Sequence, residues 1–348
     1  MRVFNSSRLA IARKRRQFTK KALADKAGVS NVTLTRLETG ATSDPDERTV
    51  ELLSQALGYP AGFFYGDDCD QLEKEEVSFR SLSTITSRQR DAALAAGAIA
   101  FMLADWVGER FNLPNSDLLD LRGEGPQNAA AALRSYWGVG FRPIPHLIRL
   151  LEAKGVRVFS LSEQNKNVDA YSCWNRGVPY IFLNTFKSAE RSRFDTAHEL
   201  GHLVLHGHGV CGRDAEREAD SFAAAFLMPR EDLISSIRRQ PTISYLIEAK
   251  IRWGVSLAAL ARNCADAGLI TDWHYREMCK AMSIAGYRSK EPNSVPREES
   301  VLWRRVFEAL WRDRVTKDRI ARDLSLPIDE IQAILGATIS WSHDLRAV

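Results

Sequence analysis

The sequence of 348 residues predicts a mainly helical protein of the α+β class. Apolar residues recur at helical spacing through most of the chain, a pattern typical of helices that bury one face. Three short runs between residues 156 and 184 have the composition of strands, with turn residues between them. We therefore expect helices at both ends of the chain and a small antiparallel sheet near its middle, followed by a helix rich in histidine.

The bulk composition is that of a globular protein with two or three domains, since single domains cluster near about 100–200 residues. Hydrophobic residues make up 45% of the chain and charged residues 26%. The apolar runs are shorter than the roughly 18–20 residues that span a bilayer, and residues 1–17 lack the features of a signal peptide. Five cysteines without a C-x-x-C pair favour reduced thiols. We expect a cytoplasmic protein without membrane contact.

Positive charge is concentrated at the N-terminus. Residues 1–40 contain ten Lys or Arg and two acids, a net charge of +8, whereas the whole chain carries +4. This asymmetry predicts an anion-binding module, for which nucleic acid is the usual partner. The alternative interpretation is a solvated basic face.

The first helical stretch, residues 8–40, is broken at Phe18-Thr19 and again at residues 27–30. Gly28 suits the left-handed residue that ends a helix, and Ser30 is a good N-cap for the next one. This is the spacing of a helix-turn-helix unit in which the third helix presents its N-terminal turn outward.

Residues 5 to 66 resemble the XRE (lambda-repressor-like) helix-turn-helix family, including the ending TLTRLETG of the third helix and the tail ALGYPAGFFY. The resemblance implies a DNA-binding domain over residues 1–66 that recognises an operator. Base contacts are then expected from Asn31, Val32, Thr35 and Arg36, and phosphate contacts from Lys20, Lys21 and the run Arg13 to Arg16. The alternatives are a capping role for Asn31 and plain solvation for the arginine run.

The middle of the chain, residues 67–138, begins with an acidic linker at 67–78 and continues with an Ala-rich helix from residue 87. Strands are expected at 156–161, 169–174 and 179–184, with a hairpin turn at 175–177. The last of these, PYIFLN, could receive an extended peptide by strand addition, or belong to a hairpin without that role.

The run FDTAHELGHLVLHGHG, residues 194–209, holds four of the seven histidines of the chain. His198 and His202 are four residues apart and so project from one face of a helix, where two imidazoles can reach a single Zn²⁺. Glu199 is the adjacent carboxylate and the candidate general base. Gly201 allows another helix to approach closely.

A catalytic zinc takes a third protein ligand and keeps one position open. The next helix, EREADSFAAAFLMP, carries Glu216 and Asp220 four residues apart. We expect Glu216 to be the third ligand and Asp220 to hold the Nδ1 proton of a ligating histidine. Glu218 is the alternative third ligand, and solvation of the helix is the alternative role for all three acids.

Two further histidines are expected to be ordinary surface or helix-end residues. His206 lies about 6 Å further along the helix axis than His202. His208 holds the position of the third ligand in one class of zinc peptidases, but Leu205 replaces the glycine that this class needs to turn the chain. Candidate transition-state donors are Tyr171, Tyr180 and His206, each of which also has a structural interpretation.

The two motifs, FDTAHELGHLVLH and EREADSFAAAFLMPR, resemble the ImmA/IrrE family of zinc metallopeptidases. The resemblance covers roughly residues 140–235, within an expected domain at 139–240, and implies a gluzincin-like fold with one zinc per chain. It also implies ligand roles for His198, His202 and Glu216 and the role of base for Glu199.

The chain as a whole is similar to bacterial or phage proteins that fuse an XRE domain to this peptidase. The resemblance implies a nucleoid-associated zinc metalloendopeptidase that regulates transcription by cleaving a repressor in a stress, prophage or mobile-element response. The substrate is then either a separate repressor or the chain's own N-terminal module. The alternative is a transcriptional regulator that uses the zincin fold as a ligand or stress sensor without proteolysis.

The C-terminal region, residues 241–348, is expected to be helical. Two stretches repeat the helix-turn-helix rhythm without the basic bias of the N-terminus, so we expect them to serve packing or homodimer formation. The polar segment SKEPNSVPREES, residues 289–300, contains two prolines and is interpreted as a hinge before the last helices.

Overall fold

The computed structural model describes residues 3–72, 77, 86–161, 170–206 and 212–336. These residues form a mainly helical fold around one small three-stranded sheet, which confirms the expected fold class. The strands are β1 (Arg157–Leu161), β2 (Tyr171–Asn175) and β3 (Val178–Asn184).

The N-terminal helices are α1 (Ser6–Arg15), α2 (Lys20–Ala27), α3 (Asn31–Glu38) and α4 (Glu47–Leu57). The side chain of Thr19 caps α2 and that of Ser30 caps α3, each accepting a backbone N–H of the first turn. Gly28 ends α2 with a φ of +68°, a conformation that glycine adopts without strain. The helix-turn-helix expected from the sequence is therefore present.

The Ala-rich helix α5 (Ser87–Gly108) lies at the centre of the fold. Its length and composition alone would allow it to cross a membrane, but 78% of its most apolar window is buried inside the fold, as in a core helix. Gly97 lets the sheet approach it closely, since a Cβ there would lie 2.9 Å from the Oη of Tyr171. That hydroxyl donates a hydrogen bond of 2.9 Å to the carbonyl of Ala93.

The sheet is mixed, whereas the sequence led us to expect an antiparallel one. Its order is β1-β3-β2, with β1 parallel to β3 and β2 antiparallel to β3. The expected hairpin turn joins β2 to β3 through Arg176 and Gly177, both with positive φ. Because β3 is central and pairs on both edges, PYIFLN has no edge open to an added strand, which leaves the alternative of a hairpin strand without that role.

The two faces of the sheet pack against different helices. Aromatic side chains of one face, among them Phe159, Tyr180 and Phe182, join a core with α5 and the C-terminal helices. The other face contributes Val158 and Ile181 to a second core around the histidine-bearing helix α8 (Ala189–Leu205). The helices α6 (Pro126–Tyr136), α7 (Leu147–Ala153), α9 (Arg213–Leu227) and α10 (Arg230–Ser236) contribute to this second core. Helices further along the chain add Leu246, Leu260 and Met278 to it.

The helices that follow α10 are α11 (Ile243–Ala249), α12 (Leu257–Asp266), α13 (Asp272–Ile284), α14 (Val301–Arg312), α15 (Lys317–Leu324) and α16 (Ile328–Leu335). The segment between α13 and α14 is a fixed strap, and its interpretation as a hinge was wrong. Glu190 in the first turn of α8 accepts the backbone N–H of Val295 at 2.8 Å and the Nζ of buried Lys250 at 3.1 Å. Further along the strap, Glu298 pairs with Arg193 of α8.

The last helices hold the N-terminal domain through a buried charge cluster. Glu330 of α16, 1% exposed, accepts Arg15 at 2.7 Å and the Tyr59 hydroxyl at 3.0 Å. Arg16 reaches Asp329 at 3.0 Å, while Arg13 pairs with Glu38 of α3. These three arginines are engaged in ion pairs within the protein, with Arg13 and Arg15 largely buried and Arg16 27% exposed. Phosphate contact by the run stays a prediction. The packing role expected for the C-terminal helices is present, and the homodimer stays a prediction.

Candidate metal centre

The site is built where α8 and α9 cross. Their close approach depends on Gly201, because a Cβ there would lie 3.0 Å from the ring of Phe222 and 3.3 Å from the Cα of Ala219 on α9. This approach brings His198 and His202 of α8 opposite Glu216 of α9.

The three side chains that the sequence singled out as ligands converge. The Nε2 atoms of His198 and His202 are 3.1 Å apart. The Glu216 carboxylate lies 3.3 Å from the first of these nitrogens and 3.5 Å from the second. One donor atom from each residue fits within a 4.8 Å span. Two imidazoles and one carboxylate form the donor set that catalytic zinc takes in several peptidases, so these residues fit the metal chemically.

The electrostatics of the site favour the protonation states that a metal needs. Burial lowers the pKa of His202, which keeps its imidazole neutral. Burial alone would raise the pKa of Glu216, but hydrogen bonds that its carboxylate accepts from His198 and His202 outweigh burial and hold that pKa well below its usual range. At neutral pH the site therefore offers the neutral imidazole of His202 and the ionised carboxylate of Glu216.

Asp220 lies where the sequence placed it, one turn after Glu216 on α9. Its Oδ1 is 2.9 Å from the Nδ1 of His198. A histidine that donates Nδ1–H to a carboxylate presents Nε2 as its lone-pair nitrogen, which is the atom that faces Glu216.

Glu199 is buried beside the donor set. Burial raises the pKa of Glu199 to about 7, while the charge of His198 and a hydrogen bond from Ser172 act in the opposite direction. The Ser172 hydroxyl donates to Oε2 of Glu199 at 2.7 Å. The sequence analysis missed Ser172. The sequence did contain a signal for it. Tyr171 and Cys173 pack on the α5 side of the sheet, and side chains alternate along a strand, so the polar Ser172 between them faces the opposite side.

The two tyrosines considered as transition-state donors lie on the far side of the sheet. The Tyr171 hydroxyl donates to Ala93 of α5, and the Tyr180 ring packs against Phe101 at 4.6 Å between centroids. Both side chains belong to the core behind the sheet, so neither faces the three converging ligand candidates.

His206 and Glu218 form a pair beside the three donors. Nδ1 of His206 lies 3.0 Å from Nδ1 of His202, and Nε2 of His206 lies 2.9 Å from the Glu218 carboxylate. Glu218 therefore faces His206 rather than the donor set. His206 ends α8, which agrees with the helix-end role expected for it, and at 9% exposure it is not a surface residue. His208 lies outside the described residues.

A pocket of about 270 Å³ opens next to His206. One wall comes from the end of α8 and from β2, whose Trp174 indole donates to the carbonyl of Leu203 at 3.3 Å. The opposite wall comes from an extended segment before α6. Its lining is Leu118, Leu119, Asp120, Arg122, Trp174, Leu203 and His206.

The helix-turn-helix exposes most of the residues proposed to contact DNA. Val32 is 63% exposed at the start of α3, and Asn31, Arg36 and Lys21 are exposed as well. Thr35 is half-buried. Because Ser30 is the N-cap of α3, the capping role considered for Asn31 is wrong.

Lys20 is engaged within its own domain. Its Nζ lies 3.3 Å from a carboxylate oxygen of Glu38, although the side chain remains 40% exposed. Such a half-exposed pair is weak, so a phosphate could compete for the ammonium group.

Comparisons with family models match two parts of the chain. Residues 9–64 match a helix-turn-helix model, and residues 151–265 match a peptidase model described as the IrrE N-terminal-like domain. No curated protein matches the chain at a significant level. The second match includes α8 and α9 and extends through β1, β2 and β3. Both resemblances seen in the sequence are thereby confirmed.

Proposed function

We propose that this chain, a helix-turn-helix DNA-binding domain joined to an IrrE-like peptidase domain, is a zinc endopeptidase that regulates transcription by cleaving a repressor protein. The observation that carries the proposal is the convergence of His198, His202 and Glu216 beside the buried carboxylate of Glu199. Three donors and an adjacent carboxylate are what metal-assisted hydrolysis needs.

One zinc ion would be held by the Nε2 atoms of His198 and His202 and by the carboxylate of Glu216. When bound, the zinc would act as a Lewis acid toward a peptide carbonyl. The protein supplies the neutral imidazole of His202, the ionised carboxylate of Glu216 and the fixed crossing of α8 and α9 that aligns them.

Glu199 would be the general base. A base is most effective when its pKa lies near the working pH, and burial raises the pKa of Glu199 to about 7. Ser172 holds Oε2 through its hydroxyl, so we assign proton transfer to Oε1. There the carboxylate would take a proton from the attacking water and return it to the departing amine.

The helix-turn-helix would place the peptidase on DNA. Asn31, Val32 and Arg36 are exposed on α3, the helix that enters the major groove in this motif. Lys21 is exposed at the start of α2, where phosphate contacts fix the docking of the domain. The chain would then be nucleoid-associated.

The substrate is better assigned to a separate repressor than to the chain's own N-terminal module. That module is folded into α1–α4 and held to α16 by the cluster around Glu330. A repressor bound to neighbouring DNA would instead meet the peptidase at a high effective concentration.

The test is a comparison of Glu199→Gln with wild type in cells of the source organism. The amide cannot accept the proton, so we expect cleavage of the target to fall about 10²–10⁴-fold while zinc content and DNA binding are retained. Newly formed protein N-termini that depend on Glu199 would identify the substrate. Asp214→Asn, which changes an exposed acid of α9, is the matched control and should cleave normally.

A non-proteolytic sensor predicts a different outcome. Metal and shape are unchanged in Glu199→Gln, so a sensor would keep regulating its target genes. Normal regulation by this variant, together with unaltered zinc content, would refute the peptidase proposal.

A further inference from the structure

We propose that His206 and Glu218 form a relay that positions His202 for the metal. The inference rests on the proposed zinc site and assigns a role to two residues that the three donors, Glu199 and Asp220 leave unexplained. It makes His206 and Glu218 positioning residues that act through His202.

The geometry of the relay begins at the end of α8. His206 is the C-cap, with φ −116° and ψ 130°, and its backbone N–H still donates to the carbonyl of His202 at 3.1 Å. Because His202 and His206 are four residues apart, their side chains lie one above the other on the same face of α8. Nδ1 of His206 lies within 3.0 Å of Nδ1 of His202, in a buried contact.

The relay continues across to α9. Nε2 of His206 lies 2.9 Å from the carboxylate of Glu218, whose side chain is half exposed. The three side chains therefore connect the metal-facing ring of α8 to a solvated acid on α9, in the order His202, His206, Glu218.

Metal binding would fix every proton in this chain of contacts. If Nε2 of His202 binds the metal, its proton resides on Nδ1, which must donate. Nδ1 of His206 is then the acceptor, so the proton of His206 resides on Nε2. That N–H points at the carboxylate of Glu218, which accepts it. With these proton positions, both histidines are neutral and each of the two contacts pairs a donor with an acceptor.

The two ligating histidines are thus supported differently. Asp220 contacts His198 directly at 2.9 Å, whereas Glu218 reaches His202 only through a second imidazole. The ring of His206 also lines the 270 Å³ pocket beside Leu203 and Trp174. The relay therefore lies between the donor set and this pocket. The His206 ring, which contacts His202 on one side and Glu218 on the other, forms part of the pocket wall.

The geometry argues against a ligand role for either residue. The His206 ring faces Nδ1 of His202, while the opposite nitrogen of His202 faces His198 and Glu216. A metal at the three converging donors would lie on the far side of the His202 ring from His206. Glu218 lies one imidazole further away.

Zinc affinity of the full-length chain, measured by competition with a chelator, tests the relay. Loss of an outer partner typically costs 10–100-fold in metal affinity. We expect that range for His206→Ala and for Glu218→Ala, and a smaller loss for Glu218→Gln, whose amide oxygen still accepts. The double variant should be no weaker than His206→Ala, because the two residues act in series. Asp214→Asn should match wild type.

Several outcomes would overturn the relay. Unchanged zinc affinity in Glu218→Ala would contradict the relay. The control for folding is the melting temperature of the metal-free variant, which should equal that of metal-free wild type. Additive losses in the double variant would also contradict the relay. If the wild-type protein binds no zinc, both the relay and the proposed metal site are wrong. If it binds zinc and the affinity is unchanged in His206→Ala and Glu218→Ala, only the relay is wrong.

A spectroscopic test detects the protons directly. In zinc-loaded protein with ¹⁵N-labelled histidine, long-range couplings distinguish the two neutral tautomers. We expect His202 protonated on Nδ1 and His206 on Nε2, and Glu218→Ala should weaken that preference in His206. A His206 protonated on Nδ1 in the zinc-loaded wild type would contradict the relay.

Discussion

Ser172 shows how one hydroxyl can tune the proposed base. It is buried on β2, and its hydroxyl donates to Oε2 of Glu199 at 2.7 Å. This hydrogen bond favours the ionised carboxylate and so opposes the rise in pKa that burial causes. The protein thus buries the base and at the same time limits how far burial shifts its pKa.

Ser172→Ala should move the pH profile of cleavage. Without the hydrogen bond the pKa of Glu199 rises further above about 7. A base works only when ionised, so activity falls as pH decreases through this pKa. We expect the acidic limb of kcat/KM to shift to higher pH in Ser172→Ala and to stay in place in Ser172→Thr, which keeps a hydroxyl. A uniform loss of activity with an unmoved limb would show that Ser172 has only a structural role.

The third ligand is tested by zinc content. Purified chain should hold about one zinc, and Glu216→Ala or His202→Ala should remove most of it, because two remaining ligands bind zinc weakly. Metal analysis after dialysis gives the stoichiometry. Full zinc in Glu216→Ala with loss in Glu218→Ala would reverse the assignment of the ligand.

At the scale of elements, the crossing of α8 and α9 depends on one missing side chain. Gly201→Ala would place a Cβ 3.0 Å from the Phe222 ring and push the helices apart. Overpacking of this kind costs about 1–3 kcal/mol. We expect a lower free energy of unfolding, measured by denaturant titration, and weaker zinc binding because Glu216 moves away.

The matched control for Gly201→Ala lies on another helix. Gly108 ends α5, and a Cβ added to it would meet nothing within 4 Å, so Gly108→Ala should leave stability unchanged or raise it slightly. Equal effects of the two substitutions would show that the crossing of α8 and α9 tolerates a methyl group.

The recognition helix α3 gives a prediction on DNA. Arg36→Ala should relax sequence preference, whereas Lys21→Ala should weaken binding to all sequences alike and reduce the salt slope by about 1. Binding of the full-length chain to operator and unrelated DNA at several salt concentrations separates the two effects. Absence of salt-dependent binding to any DNA would contradict the proposed tethering.

The sequence predicted the elements better than their arrangement. The pairing of His198 with His202 and of Glu216 with Asp220 was predictable, because helical spacing places each pair on one face. The crossing of α8 and α9 that brings the two pairs together depends on tertiary packing. The parallel pairing of β1 with β3 depends on strand order, which local pattern does not encode. Ser172 and Glu199 are 27 residues apart in the sequence, so their hydrogen bond depends on tertiary packing. The sequence of β2 alone shows only a polar residue at this position.

At the scale of the whole molecule, the DNA-binding domain is joined to the rest by buried charge. The carboxylate of Glu330 on α16 pairs with Arg15 and accepts a hydrogen bond from the Tyr59 hydroxyl. The Nη1 atom of Arg16 lies 3.1 Å from the same carboxylate. The strap between α13 and α14 fixes the other end of the C-terminal region to α8. The C-terminal third therefore connects the domain that carries α3 to the helix that carries His198 and His202, the proposed metal ligands.

Glu330→Ala tests this connection. Removing one member of a buried ion pair typically costs about 3–5 kcal/mol, because the remaining charge stays buried. We expect a large loss of stability in thermal or denaturant unfolding. Asp329→Ala removes a neighbouring acid that is 58% exposed, and an exposed pair contributes only about 0–1 kcal/mol. Equal effects of the two substitutions would mean that Glu330 is not a buried anchor.

The same cluster constrains how such a chain can evolve. A helix-turn-helix transplanted from a protein that lacks arginines at positions 15 and 16 would leave the Glu330 carboxylate buried without compensation. Exchange of that domain would then require a simultaneous change at position 330. Among proteins with this domain architecture, the residues at positions 15, 16 and 330 should therefore covary. The helix-turn-helix domain should be inherited together with α16 rather than exchanged as an independent module.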